Sequence, residues 1–248
     1  MLLSLSISEW LSDLRDDFYL NFIDDDRYMY LVRGLKVTFE VTIFAVLLGI
    51  ALGVIVAMIR STYDKNAQDM RRGPGLFILK FFNGLTKIYL TVIRGTPMVV
   101  QLMIMYFVIF ASSKNKVLVA ILAFGINSGA YVAEIIRSGI MSIDQGQFEA
   151  GRSLGFNYMQ TMLYIIIPQA FKNVLPALAN EFIVLIKETS VSGYVGLQDL
   201  TKGGDVIRSR TYSAFMPLLA VAAIYLIIVM FFSKLVTILE RRLRNSER

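Results

Sequence analysis

The sequence predicts an all-α, polytopic integral membrane protein with about five transmembrane helices. Three observations carry that reading. Long apolar runs recur along the 248 residues; 56% of residues are apolar and 18% charged, with mean hydropathy +0.59; and the basic residues gather at the ends of the apolar runs. A soluble domain of this length has a more polar composition. The net charge of +6 follows the same distribution. It suits anionic lipid headgroups of the bilayer better than a basic stripe for nucleic acid, which is not expected as a partner. The chain contains no Cys and no His, which excludes disulfides, thiol nucleophiles and the usual zinc and haem sites. No metal site is expected, nor any catalytic residue. The opening residues, MLLSLSISEWLSDLRDD, lack a positive leader and a long apolar stretch, so no removable signal peptide is expected.

Residues 1–33 read as an N-terminal extracytoplasmic extension with a short surface helix near 7–17. Its seven acidic residues face three arginines and read as a solvated flank. The first span, 35–59, is LKVTFEVTIFAVLLGIALGVIVAMI; at about 1.5 Å per residue it crosses a hydrocarbon core of about 30 Å. Within it Ala45, Gly49, Gly53 and Ala57 recur every four residues, a small-residue face that lets another helix approach its backbone. Glu40 lies near the outer end, where an interfacial or inward-facing position is expected.

The second span lies within 77–110 and contains Arg94, Gly95, Thr96 and Pro97. Proline removes a backbone donor and glycine loosens the helix, so a break is expected there. Arg94 then needs a carboxylate, carbonyls or water. Gln101, just beyond, is a candidate polar group of a pathway. The third span, 117–136, places Asn127, Ser128, Tyr131 and Glu134 near one face. These groups suit the polar head of a small solute, or hydrogen bonds to neighbouring helices with Glu134 paired to Arg137. The fourth span, 162–187, is expected to be interrupted by Pro168, Lys172, Pro176 and Glu181, and its Asn180 and Glu181 pose the same choice. Gly193 and Gly196 suit a tight turn, and Gly203 with Gly204 suits another. The fifth span, 214–232, has no charge. The outer helices are expected to face lipid, and the charged middle ones protein or water.

Arg60, Lys65, Arg71 and Arg72 flank the first loop, and Lys234, Arg241, Arg242, Arg244 and Arg248 the C-terminus. These place the N-terminus outside and the C-terminus in the cytoplasm, although the bias over all segments is weak.

Residues 144–168, DQGQFEAGRSLGFNYMQTMLYIIIP, are the polar exception between apolar runs. Positions 145–154 read as a short amphipathic helix with Phe148, Gly151 and Leu154 on one face and Glu149 and Arg152 beside it. Gly155 ends that helix and a second starts near Asn157. Pro168 then bends the chain near the membrane. The result is a compact knob suited to docking another protein.

Glu149, Ala150, Gly151, Gly155, Ile165 and Pro168 resemble the cytoplasmic loop of permease subunits from bacterial ABC importers, usually Glu-Ala-Ala, a glycine, and Ile-x-Leu-Pro. Gly151 replaces the usual alanine and Ile167 the usual leucine. More narrowly, the chain is similar to the polar amino-acid permease family, through RGTP at 94–97, NSGAYVAEIIR at 127–137, GQ at 146–147, EAGRSLG at 149–155, PQA at 168–170 and NEFIVLIKETS at 180–190. The resemblance covers about 30–245.

That resemblance implies a transmembrane domain over 34–237, with a cytoplasmic coupling-helix loop at 138–162 and a basic tail at 238–248. It implies an ATP-driven importer with two ATP-binding cassette ATPase subunits, a second permease subunit, identical or homologous, an extracellular solute-binding protein, and a polar amino acid as cargo. Glu149, Ala150, Gly151, Arg152 and Gly155 would form the joint with the ATPase. ATP and Mg²⁺ would bind in that partner, since the chain has no GxxxxGK[ST] loop. The residues leave open an alternative, a non-transport membrane docking or regulatory subunit using the same loop.

Overall fold

The structure, a computed structural model, describes residues 7–66 and 73–245. Arg71, Arg72 and Arg248 of the expected basic flanks lie outside them. Helix α1, Ile7–Phe18, leads through a π-type turn, Tyr19–Ile23, and a 3-10 turn, Asp24–Asp26, into the long helix α2, Tyr28–Asn66. The expected boundary at 33–34 therefore falls inside α2. The elbow is pinned from within: Arg27 donates to the Leu20 carbonyl and pairs with Asp24 at 3.0 Å and Asp25 at 2.8 Å. Buried Asn21 accepts from the Thr211 hydroxyl at 2.8 Å.

Next come α3, Pro74–Gly95; α4, Met98–Ile104, with a π-type continuation Met105–Ile109; and α5, Lys116–Met141. Two short helices follow, α6, Gln145–Ser153, and α7, Tyr158–Thr161. A π-type turn, Met162–Ile166, joins α7 to α8, Ile167–Glu188, and a 3-10 segment, Thr189–Val195, closes that rod. Helices α9, Leu200–Thr211, and α10, Phe215–Asn245, complete the chain. Five helical stretches are long and apolar enough to cross a bilayer: Tyr28–Lys65, Pro74–Gly95, Lys116–Met141, Tyr158–Val195 and Phe215–Leu243. The protein is a multi-pass membrane protein built from them.

The small-residue face of α2 packs on α5. Ala45 and Ala57 are fully buried, and a Cβ added at Gly49 or Gly53 would lie 2.9 Å from the Ser128 hydroxyl or 2.4 Å from Val132. The two backbones thus meet where side chains are smallest. Helix α5 is the centre of the bundle, with 61% of its most apolar stretch buried against 11% for α10. Mean hydropathy does not follow burial: the third span, at 1.7, is more apolar than the second, at 1.5, and the fourth, at 1.3, although it is the most enclosed by protein. Only 22% of the most apolar stretch of the Tyr158–Val195 rod is buried; Asn173 and Glu181 of α8 face an open cleft.

Two sequence expectations are corrected. Pro176 does not interrupt the fourth span: α8 runs through it. Gly203 and Gly204 form no turn, since both lie inside α9. A Cβ at Gly203 would lie 2.5 Å from the Tyr30 carbonyl oxygen and one at Gly204 2.4 Å from Val221, so they bring α9 onto α2 and α10. Gly196 does turn the chain, with φ +68. Asp199 caps α9, accepting from the amides of Thr201 at 3.0 Å and Lys202 at 3.1 Å.

Candidate functional site

The break between α3 and α4 is real: Thr96 and Pro97 are extended, at φ −122, ψ 145 and φ −64, ψ 138. A helix end inside a membrane bundle leaves carbonyls without partners. Gln101 supplies them. Its amide nitrogen donates to the Ile93 carbonyl at 2.6 Å and the Thr96 carbonyl at 3.0 Å, and its oxygen accepts from Asn127 at 3.0 Å. The Thr96 hydroxyl reaches back to the Val92 carbonyl at 2.8 Å. Gln101 and Asn127, both candidates for a pathway, are thus engaged in closing the break and tying it to α5.

The four polar residues of α5 divide: Asn127 and Ser128 are tied to α4 and α8, while Tyr131 and Glu134 both meet Arg94 of α3 and line one cleft. Ser128, fully buried, donates to Glu181 on α8 at 2.8 Å. Tyr131 lies under the Arg94 guanidinium, 5.6 Å from ring centroid to Cζ. Glu134 accepts from Arg137 at 2.7 and 3.4 Å, with Arg94 at 3.9 Å, and Arg137 reaches Asp64 of α2 at 3.4 Å. An ion ladder therefore crosses α2, α5 and α3. Arg94, Tyr131, Glu134, Ser138, Asn173 and Glu181 line an open cleft of about 460 Å³, within the size range of small-molecule sites. Asn180 is exposed and is not among the cleft residues. Asp64 and Asn173 escaped the sequence reading. The spacing of Asn173, Ala177 and Glu181 at successive i+4 steps was the available signal for one polar face.

The cleft runs down to Ser142 and Asn173, and next to it, between the end of α5 and the start of α8, stands the knob. Asp144 caps α6 by accepting from the Gly146 amide at 2.6 Å. The helix ends in a Schellman arrangement: Gly155 N–H bonds the Arg152 carbonyl at 2.9 Å and Phe156 N–H the Gly151 carbonyl at 3.0 Å. That closure needs Gly155 in the left-handed region, at φ +82. Asn157 and Gln160 form a reciprocal capping box that starts α7. Pro168 stands at the first turn of α8, just past the π-type turn, where its missing amide breaks no helical hydrogen bond.

Phe148 is buried against Ile140, Met162, Ile166 and Ala170, while Gly151 packs so closely that a Cβ would lie 2.7 Å from the Thr161 side chain. Leu154 does not share this face; it stands at the helix end, 71% exposed. Glu149, Ala150 and Arg152 are exposed along the outer ridge. Lys65, at the end of α2, clasps α6 by donating to Gln145 at 3.0 Å and lying over the Phe148 ring at 4.4 Å. It had read only as a basic flank. The knob is therefore rigid, anchored on α2, α5 and α8, with its polar ridge facing outward.

Residues 73–245 match the family described as binding-protein-dependent transport system inner membrane component. Among relatives, the arginine transport system permease protein ArtQ of Bacillus subtilis is 33% identical over 88% of this chain and 94% of its own. The glutamine transport system permease protein GlnP of Escherichia coli is 34% identical over 86% of this chain and 93% of its own. Among solved structures, a chain of an amino acid ABC transporter crystallised with histidines superposes with TM-score 0.77 at 40% identity, over 89% of this chain and 98% of that one. The inward-facing MetNI methionine ABC transporter shares the fold, with TM-score 0.72 at 20% identity, over 87% of this chain and 97% of that one.

Proposed function

The chain belongs to the family of binding-protein-dependent transport system inner membrane components, and on that premise we propose that it is the permease subunit of an ATP-driven importer of polar amino acids. The observation that carries this reading is the rigid knob of α6 and α7, with Glu149, Ala150 and Arg152 exposed on its ridge. In this reading the ridge docks on an ATP-binding cassette subunit, one of two in the complex, which alone binds ATP and Mg²⁺. Closure of the ATPase pair moves the knob, and the move passes directly into α5 and α8, the helices that flank it in sequence. Those same helices line the cleft, so ATP chemistry elsewhere alternates its access to the two sides of the membrane.

The cargo class follows from two supports. The relatives named above carry arginine or glutamine in their names, and the cleft offers both signs of charge. Arg94, whose side chain is 43% exposed, suits a carboxylate, and Glu181 suits an ammonium group. A solute-binding protein delivers the solute from outside, and a second permease subunit, identical or homologous, completes the passage. The N-terminus then lies outside and the C-terminus in the cytoplasm of a bacterial cell, with the extension 1–33 extracytoplasmic, the coupling loop 138–162 inside, and 238–248 a cytoplasmic tail.

The test is at the ridge. Glu149→Arg reverses one exposed charge without touching the packed face, so membrane insertion is expected to hold. Co-purification of the ATPase and uptake are both expected to fall about tenfold or more, the effect of losing one charged contact at an interface. Wild-type assembly and uptake in this variant contradict the docking role.

A further inference from the structure

We propose that a cavity between α2, α5 and the α7–α8 rod is a binding slot for one acyl chain of a membrane phospholipid. The cavity, about 240 Å³, is walled by Ile50, Val54 and Met58 of α2, Ile136 and Ile140 of α5, and residues of the opposing rod that include Met162, Phe171 and Leu178. An apolar cavity of about 150 Å³ already stays dry and takes up apolar molecules; this one is larger and its walls are almost wholly hydrocarbon.

Three observations select an acyl chain as occupant. The slot opens sideways onto the face the bilayer covers: Val54, Met58, Ile167 and Phe171 at its rim are 39%, 47%, 39% and 55% exposed, and all belong to membrane spans. Ile55 beside Val54, and Leu163 one turn before Ile167, are further exposed apolar side chains of the same spans. The slot's length also fits. Positions 50 and 62 of α2 mark its two ends, about 18 Å apart at 1.5 Å per residue, close to one leaflet of a core about 30 Å thick.

The chemistry is graded along that length. Ile50 and Leu178 form the deep end, while Ser61, Thr62 and Tyr158 gather at the end beside the knob. The Ser61 hydroxyl there is buried, at 1% exposure, and has no hydrogen-bond partner. A chain entering from the leaflet on the side of the knob would place its methyl end at Ile50 and its ester group beside Ser61, which supplies the missing acceptor. The slot lies between the tightly packed pair α2 and α5 and the rod that carries the knob's second helix, which itself touches α5 at Gly139 and Ile140. Its occupant therefore sits at the seam between α2 and α5 on one side and α7 and α8 on the other.

The complete importer, in vesicles containing a phospholipid with a diazirine midway along one acyl chain, is irradiated and its adducts are mapped by mass spectrometry. Adducts are expected on the deep residues Ile136, Ile140 and Met162 as well as on the rim. In Ile50→Phe or Leu178→Phe the deep adducts should fall about tenfold, the effect of excluding roughly two methylenes from an apolar slot, while those on Phe171 persist. Adducts confined to the exposed Met159 and Phe171 of the wild type would mean bulk lipid only and overturn the proposal, whether or not the variants fold. A disulfide between two copies carrying Met58→Cys would overturn it equally, by showing that a second copy of the chain covers the slot.

Discussion

Gly151 occupies the position where the permease loop usually has alanine, and the structure supplies a local reason. A Cβ there would meet Thr161 Cγ2 and Oγ1 at 2.7 Å, closer than unstrained contact allows. Gly151→Ala alone should strain the knob by about 1–3 kcal/mol and lower ATPase co-purification. Adding Thr161→Ala, which removes both clashing atoms, should restore it; no restoration would place the role of Gly151 on its outer surface instead. Asp199 poses a different problem. Burial pushes its carboxyl up to about 6 although two backbone amides favour the charged form. The folded chain therefore holds this proton between about pH 4 and 6 while the unfolded chain has lost it, so this group's contribution to stability falls as pH rises through that window and stays lower above it. Asp199→Asn keeps the cap of α9 and removes the charge. In thermal unfolding followed from pH 4 to 7, the wild type should lose about 1–3 kcal/mol relative to the variant; parallel curves would contradict the burial argument.

Helix α2 shows how far element-level patterning reaches. The four-residue repeat of Ala45, Gly49, Gly53 and Ala57 marked a close-packed face, and that face meets α5. Gly53→Val inserts three carbons where a single Cβ already lies 2.4 Å from Val132. It should lower stability in detergent by about 1–3 kcal/mol, whereas Val at the exposed neighbour Leu47 should change little; equal effects would deny the packing. The break at Thr96 and Pro97 was legible because proline's missing donor is a local property. The capping role of Gln101 was not, since it depends on a carbonyl at Ile93 eight residues earlier and on Asn127 from another helix. Periodicity likewise placed α6 and its glycine end but misjudged Leu154, whose position past the last helical turn takes it off the helical face. Gly203 and Gly204 misled for a related reason. Paired glycines suit turns locally, and only the neighbouring Tyr30 carbonyl and Val221 show that they serve helix contact.

At the scale of the whole molecule, five apolar runs gave five spans because hydropathy is set by the bilayer alone. The order of burial among them was harder to read, since α8 carries charge yet lies largely uncovered. Its Glu181 turns to the cleft, and that arrangement emerges only when Glu181 meets Ser128 and Asn173 lines the same space as Arg94. The molecule thus joins a rigid knob to a polar cleft through two shared helices, which is the arrangement a remote ATPase needs to drive a solute across. The most direct measurement is uptake of radiolabelled amino acids by the full complex in proteoliposomes, with ATP supplied to the ATPase side and unlabelled amino acids as competitors. Uptake is expected to require ATP and to be competed by polar amino acids but not by leucine or phenylalanine. ATP-independent uptake, or none while the complex remains assembled and hydrolyses ATP, would contradict it.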